Sequence, residues 1–126
     1  MRQWNVHPRI MCDQHLKGEH LEMHMFIGSI KRGTKMHGYI KNNELEPLTI
    51  KSRHDELVEE MQRRGMSHKS PINDDMGEIL HILLLDTGHT KEEIFKTIDT
   101  RKSLDLLISR CKECKVRYEK WKKQSK

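Results

Sequence analysis

A histidine and two glutamates fall on one face of the first helix that the sequence predicts. His15, Glu19 and Glu22 are separated by four and three residues, which places them on a common helical stripe. The apolar stripe of Leu16 and Met23 lies beside them. A carboxylate next to a buried seam is only partly solvated, so its pKa can rise toward neutrality, as acid–base catalysis requires. The same pattern is also typical of an ordinary charged helix flank.

The amino terminus offers a second reactive group. Initiator methionine is normally removed only before small residues, so Met1 is expected to remain ahead of Arg2. A free α-amine has a pKa of about 7.7 to 8.0, so a useful fraction is neutral and nucleophilic at physiological pH. Trp4 and Val6 provide apolar anchors close to the start. The alternative is a frayed terminus, which is the usual fate of chain ends.

Metal chemistry has weaker support in the sequence. Cys111 and Cys114 form a C-x-x-C pair, and His20 and His24 are four residues apart. Structural zinc needs four ligands, but the cysteine pair is predicted to lie inside a helix with no paired histidines nearby in sequence. We therefore expect no zinc site.

A carboxylate-bound magnesium ion is the other metal hypothesis, as in all-α nucleotide hydrolases. Salt-bridged helix surface is the more usual meaning of such residues, and we expect no metal and no organic cofactor. The six carboxylates concerned are Glu56, Glu59, Glu60, Asp74, Asp75 and Glu78.

The distribution of charge favours a polyanionic partner. The chain has 126 residues, enough for one domain spanning 1–126, and a net charge of +5. Residues 1–41 sum to +4, residues 42–100 to −6 and residues 101–126 to +7. If the two basic segments meet in the fold, their combined surface suits nucleic acid. Residues 120–126 are expected to form a flexible basic tail.

The composition predicts a soluble cytoplasmic protein. No apolar run approaches the roughly 18 residues of a membrane span, and no signal peptide is recognisable. The cysteine count of three is odd, which fits reduced thiols better than a disulfide framework.

Hydrophobic spacing predicts an all-α fold, a single compact helical domain of three main helices plus short helices and long connections. The segment 33–51 is expected to be a connection with at most a short extended piece at Tyr39 and Ile40. Residues 76–85 favour a helix, although a strand is the alternative. The expected N-caps are Ser52, Thr90 in a capping box with Glu93, and Thr100 or Ser103. The helices are predicted at 10–32, from 52 to Gly65, at 76–85, at 90–98 and from about 100 to the basic end.

An Asp-Gln-His-Leu block opens the first helix and is followed by two glutamates, with basic and aromatic residues further along the chain. The residues of this pattern are Asp13, Gln14, His15, Leu16, Glu19, Glu22, Phe26, Gly28, Lys31, Arg32, Arg63, Arg64, Gly65, Arg117, Tyr118 and Trp121. The pattern resembles the pyrimidine dimer DNA glycosylase family, typified by the endonuclease V of T-even phages, and suggests a phage or bacterial relative. The resemblance covers most of the chain, is strongest in the first helix and is weakest between about 72 and 100.

The resemblance implies an enzyme that flips a nucleotide out of duplex DNA, removes a damaged base and nicks the strand as an abasic-site lyase. The family's nucleophile is the α-amine of the first residue of the mature chain, and a glutamate assists it. The resemblance assigns these roles here to Met1 and Glu22. Family members remove the initiator methionine, so that a small residue supplies the amine. Retained Met1 stands 21 residues before Glu22, which is the family's own separation.

The resemblance also implies a DNA-binding surface on a protein that we expect to be monomeric. Arg2, Gln14 and His15 match positions that contact DNA and shape the site. Lys31, Arg32 and Arg117 are candidate phosphate contacts. Tyr118 and Trp121 can pack either on the DNA or in the core.

One departure leaves the substrate open. The family carries arginines immediately before the glutamate and three residues after it, where this chain has Leu21 and Met25. His20 and His24 can replace part of that grip, although histidine is mostly neutral at pH 7. A cyclobutane dimer, another modified pyrimidine and a bare abasic site all remain open as substrates.

Two alternative functions use the same residues differently. One is a non-catalytic DNA-binding module of the same fold. The other is a magnesium-dependent nucleotide hydrolase that uses the carboxylates between residues 56 and 78.

Overall fold

The computed structural model describes residues 1–67 and 70–124, in which helices surround one hydrophobic core. This part of the chain contains no strand, so the all-α prediction is confirmed. Short 3-10 turns at Pro8–Ile10 and Pro47–Thr49 and a π-helical turn at Ile82–Asp86 connect the α-helices. The α-helices are α1 (Asp13–Lys31), α2 (His37–Lys41), α3 (Ile50–Arg63), α4 (Met76–His81), α5 (Lys91–Phe95), α6 (Thr100–Arg110) and α7 (Lys112–Gln124).

Helices α1 and α3 form the centre of the fold. The predicted apolar stripe of α1 is buried, with Leu16 and Met23 fully inaccessible, and it packs on Leu57 of α3. Helix α1 begins at Asp13 and not at residue 10, because the Cys12 side chain caps it by accepting the His15 N–H. After the last turn, Gly33 adopts a φ of 83°, which ends the helix as expected.

The connection between α1 and α3 is more ordered than the sequence suggested. Tyr39 and Ile40 lie in the short helix α2, so the extended piece predicted there is wrong. Tyr39 packs edge-to-face on Phe26 with ring centroids 5.2 Å apart, which holds α2 on the core. Helix α3 begins at Ile50 with Thr49 as its N-cap, ahead of the predicted Ser52.

The later elements follow the predicted order with one important break. The strand alternative for residues 76–85 is wrong, and the Thr90–Glu93 capping box is confirmed. Asp99, and neither Thr100 nor Ser103, caps α6. The predicted last helix is split, because Cys111 is extended, at φ −124° and ψ 110°. The cysteine pair therefore lies at a helix junction, and its predicted place inside a helix is wrong.

Helix α7 lies against the beginning of the chain. It packs on the Pro8–Ile10 turn, and Arg117 Nε donates to the Arg9 carbonyl at 3.1 Å. The two basic segments are therefore adjacent, as the charge hypothesis requires. Residues 120–124 of the predicted tail are helical, whereas residues 125–126 lie outside the described part. No described helix has the length and apolarity needed to span a membrane.

Glu60 joins the end of α3 to the start of the chain. It accepts bonds from Arg63 Nη2 at 2.6 Å and Arg64 Nε at 2.8 Å, and Arg64 also reaches Asp13 at 2.9 Å. Burial raises the pKa of Glu60, but the two guanidinium groups outweigh burial and bring the pKa down to about 2 from 4.5. The ionised carboxylate therefore stabilises the folded state.

Replacing this carboxylate should cost stability in a pH-dependent way. A depressed pKa contributes stability above pH 4.5 that is lost as the pH falls toward about 2. We expect Glu60→Gln to lower the free energy of unfolding by about 2 kcal/mol at pH 7 and by little at pH 2. Urea unfolding at both pH values measures this, with the exposed neighbour Glu59→Gln as control. Equal losses at the two pH values would contradict the assignment.

Candidate active site

The structure brings the amino terminus against the glutamate of α1. The Met1 nitrogen lies 3.8 Å from Glu22 Oε1, and the Arg2 N–H donates to the same oxygen at 3.2 Å. The Met1 side chain is 15% exposed and the Glu22 side chain 28%, so the pair is sheltered but reachable. An amine and a carboxylate are therefore positioned together, although 20 other residues lie between Met1 and Glu22 in the chain.

The environment raises the pKa of Glu22. Burial is the largest cause, and the negative charge of Glu19 adds to it. The positive terminus, the Arg2 N–H and the Arg2 side chain act in the opposite direction without cancelling the rise. Glu22 therefore takes up a proton more readily than an ordinary glutamate, which suits a group that transfers protons.

A fully buried glutamine holds the segment that carries the amine. Gln3 Oε1 accepts the Glu46 N–H at 3.0 Å, and Gln3 Nε2 donates to Thr49 Oγ1 at 2.9 Å. The Gln3 N–H also donates to the Glu44 carbonyl at 2.7 Å. Arg2 is held in turn by the Glu44 carboxylate, 3.0 Å away. These bonds order the terminus, so the frayed alternative does not apply to this structure.

A buried ion pair fixes the helices behind the site. Arg53 of α3 is 3% exposed and binds the fully buried Glu19 through two bonds of 2.6 and 2.9 Å. Arg53 Nη1 also donates to the Val6 carbonyl at 2.7 Å, which ties down the amino-terminal segment. Sequence reasoning placed Glu19 near the site but missed Arg53. The signal was present, because Arg53 stands four residues before Leu57 on the buried face of α3.

One glutamine and three histidines of the predicted DNA-binding set lie on α1, and the histidines contact other side chains of the protein. Gln14 is exposed at the start of α1. The His15 ring packs edge-on against Trp4, and its Nδ1 lies 3.2 Å from the Cys12 sulfur. His20 and His24 face α3, where their rings pack on His54 at centroid distances of 4.8 and 4.7 Å.

The remaining predicted contacts lie in two places, at the end of α1 and on α7. Lys31 and Arg32 end α1, roughly 13 Å along the helix from Glu22. Lys31 pairs with Asp74 at 2.9 Å. The Trp121 ring packs at a 37° tilt on His7, with ring centroids 4.9 Å apart, and with Tyr118 it lines a cleft of about 510 Å³ beside the amino-terminal segment.

A basic cleft that sequence reasoning did not assemble adjoins that segment. It has a volume of about 380 Å³ and combines the two basic parts of the chain with the end of α3. Its lining residues are Arg9, Arg63, Arg117, Lys120, Trp121 and Gln124.

The carboxylates of the alternative magnesium hypothesis include several that bind the chain's own cations and amides. Glu56 pairs with Arg53 at 2.6 Å, Asp74 pairs with Lys31, and Asp75 caps α4. Among the described residues, the donor clusters that could hold a metal include none of the carboxylates between residues 56 and 78. The geometry thus gives no support to a magnesium-dependent hydrolase.

Comparison with protein families places the chain among the DNA glycosylases. The matching family is described as pyrimidine dimer DNA glycosylase, and the match covers residues 1–74. That segment is more than half of the 126 residues and contains both Met1 and Glu22. The chain therefore belongs to the pyrimidine dimer DNA glycosylase family. Comparisons with curated proteins and with solved structures gave no significant match.

Removing Arg53 should destabilise the protein strongly. We expect Arg53→Met to lower the free energy of unfolding by about 3–5 kcal/mol, because Glu19 would remain buried without a partner. The double variant Glu19→Met with Arg53→Met should recover much of that loss, since no unpaired charge remains. Urea denaturation of the three proteins measures both effects. A double variant no more stable than Arg53→Met would show that the ion pair is not the cause.

Proposed function

We propose that this protein is a DNA glycosylase that also cleaves the strand at abasic sites, with the Met1 α-amine as nucleophile and Glu22 as its catalytic partner. The observation that carries the proposal is the 3.8 Å separation between this amine and the Glu22 carboxylate, inside the segment that matches the family. The partner is duplex DNA that contains a damaged or modified pyrimidine.

The chemistry begins with attack by the neutral amine on the sugar C1′. The bond from C1′ to the base breaks, and the base leaves with the electron pair and takes up a proton. Opening of the sugar ring then produces an imine between C1′ and the amine nitrogen. At a bare abasic site the same imine forms with loss of water.

The cationic imine makes the next step possible. It acidifies the C2′ proton, whose removal supplies the electron pair that expels the 3′ phosphate by β-elimination. Water then hydrolyses the imine and regenerates the amine. Strand cleavage therefore needs a group that accepts protons beside a developing cation.

Glu22 fits both tasks. Its ionised form stabilises the positive charge of the imine, and its raised pKa allows it to receive and return a proton. Because the Arg2 N–H donates to the Glu22 carboxylate, the backbone next to the nucleophile also orients that carboxylate. Arg2, whose N–H binds the Glu22 carboxylate, lies where it can contact the target nucleotide.

Basic residues outside the site would grip the phosphates. The cleft contains Arg9, Arg117 and Lys120 on adjoining elements, beside Arg63, which is bound to Glu60. Lys31 and Arg32 extend the positive surface at the end of α1.

The surface beside Glu22 is apolar where family members carry arginines. Leu21 is 59% and Met25 45% exposed. Such side chains suit contact with bases or sugars better than with phosphates. We therefore propose that lesion preference differs from that of the arginine-bearing members, and that the substrate is a damaged pyrimidine or the abasic site itself.

Borohydride trapping on duplex DNA with one abasic site tests the mechanism. Borohydride reduces the imine to a stable amine, so untagged protein should yield a covalent adduct that mass spectrometry maps to Met1. We expect Glu22→Gln to reduce adduct formation and cleavage at least 100-fold. An amino-terminally blocked form should give no adduct.

The exposed Glu92→Gln on α5 is the matched control and should behave as the parent protein. Tight DNA binding with no adduct at any pH would reject the lyase and leave the non-catalytic DNA-binding module. An adduct on a lysine instead of Met1 would reject the assigned nucleophile.

A pH profile relative to the Glu22→Gln variant should report Glu22. Both proteins need the neutral amine, so the ratio of the parent rate to the variant rate cancels that shared requirement. Since the parent also needs the ionised carboxylate and the pKa of Glu22 is raised, this ratio should fall on acidification at a pH above the 4.5 of an ordinary glutamate. Single-turnover cleavage rates of both proteins between pH 4 and 8 measure the ratio, and a ratio that does not change with pH would contradict this role of Glu22.

A further inference from the structure

Four side chains with metal-binding donors meet where the first helix touches the last. Cys12 and His15 come from the start of α1, and Cys111 and Cys114 from the junction of α6 and α7. Their four donor atoms all lie within 4.8 Å of one another. We propose that these residues form a structural zinc site of three cysteines and one histidine.

Three of the six distances between donor atoms are close to those around a tetrahedral zinc ion, and all six are within 4.8 Å. Zinc bonds of about 2.3 Å to sulfur and about 2.0 Å to nitrogen imply sulfur–sulfur edges of about 3.8 Å and sulfur–nitrogen edges of about 3.6 Å. The Cys12 and Cys111 sulfurs are 3.8 Å apart. His15 Nδ1 lies 3.2 Å from the Cys12 sulfur and 3.7 Å from the Cys114 sulfur. The cluster is thus already close to the size that zinc requires.

Backbone amides support the sulfurs as they do in thiolate metal sites. The Cys12 N–H donates to the Cys114 sulfur at 3.2 Å, and the Cys114 N–H donates to the Cys111 sulfur at 3.4 Å. The His15 N–H points to the Cys12 sulfur at 3.5 Å. Such bonds stabilise thiolates and orient them toward a metal. The spacings C-x-x-H and C-x-x-C also place two ligands on each side of the site.

Burial indicates a structural site. Cys114 is fully buried and Cys12 is 3% exposed, and four protein ligands complete a tetrahedron without an open position for substrate. The ion would tie α7, which lies outside the matched segment 1–74, to the helix that carries Glu22. It would therefore hold Arg117 beside Arg9, and His15 becomes a ligand and not a DNA contact.

Two other clusters of donors in the described residues fit zinc less well. Each has three donors and no sulfur: His20, His24 and His54 in one, and His37, His89 and Glu93 in the other. In the second, His89 already accepts the Met36 N–H at 3.0 Å, and His37 binds Glu93. The sulfur-containing cluster is therefore the one assigned to zinc.

Metal analysis of the intact protein tests the assignment. The protein is purified under reducing conditions from zinc-supplemented cells and analysed by inductively coupled plasma mass spectrometry. We expect one zinc per chain. Reduced apoprotein titrated with Co²⁺ should show thiolate-to-metal charge-transfer bands and the strong visible bands of tetrahedral cobalt at one equivalent. Chelation should lower the Tm.

Variants locate the site. Cys114→Ser and His15→Ala should each lose most of the bound zinc, whereas His81→Ala, an exposed histidine on α4, should retain it. Because a cysteine variant can fail to fold, the Co²⁺ spectrum of the parent protein tests independently whether cysteine thiolates bind the metal. A zinc-free parent protein that gives no cobalt–thiolate bands would overturn the proposal. So would a Cys111–Cys114 disulfide in the purified protein, or zinc that depends on His20 and not on His15.

Discussion

The bidentate pair between Arg53 and Glu19 is the contact on which the candidate active site depends. The buried guanidinium of Arg53, which belongs to α3, binds Glu19 of α1. It also donates to the Val6 carbonyl and so holds the amino-terminal segment. Burying charge is tolerated only when the partner groups are present and well placed. The three elements therefore have little freedom to shift. Glu22 lies one helical turn beyond Glu19, so the ion pair also fixes the carboxylate that faces the amine.

The site gains its chemistry from position more than from unusual residues. Amines and glutamates are common, but here the Met1 nitrogen and the Glu22 carboxylate are held 3.8 Å apart by bonds from Arg2 and Gln3 to the rest of the fold. Partial burial then raises the pKa of Glu22. Membership of the pyrimidine dimer DNA glycosylase family is consistent with this arrangement, since the matched segment contains both groups.

The part of the chain beyond the matched segment completes the molecule. Helices α6 and α7 return to the amino-terminal segment, where Ser103 donates to the Trp4 carbonyl and Arg117 donates to the Arg9 carbonyl. The positive charges of the first and last segments thereby share one surface. The cysteine and histidine cluster lies at the same contact, which would make a bound metal the link between the helix that carries Glu22 and the basic end of the chain.

The sequence by itself determined the helical class, the apolar stripe of α1, the Thr90 capping box and the face that carries Glu22, because these depend on residues three or four apart. It did not predict Arg53 as the partner of Glu19, or Cys12 and His15 as neighbours of Cys111 and Cys114. Their separations are 34 and about 100 residues, and only the packing of α1 against α3, and of α7 against the Pro8–Ile10 turn, brings them together. The break in the last helix at Cys111 was not predicted for the same reason. The helix propensity of the residues around Cys111 favours one continuous helix, whereas tertiary contacts bend the chain there.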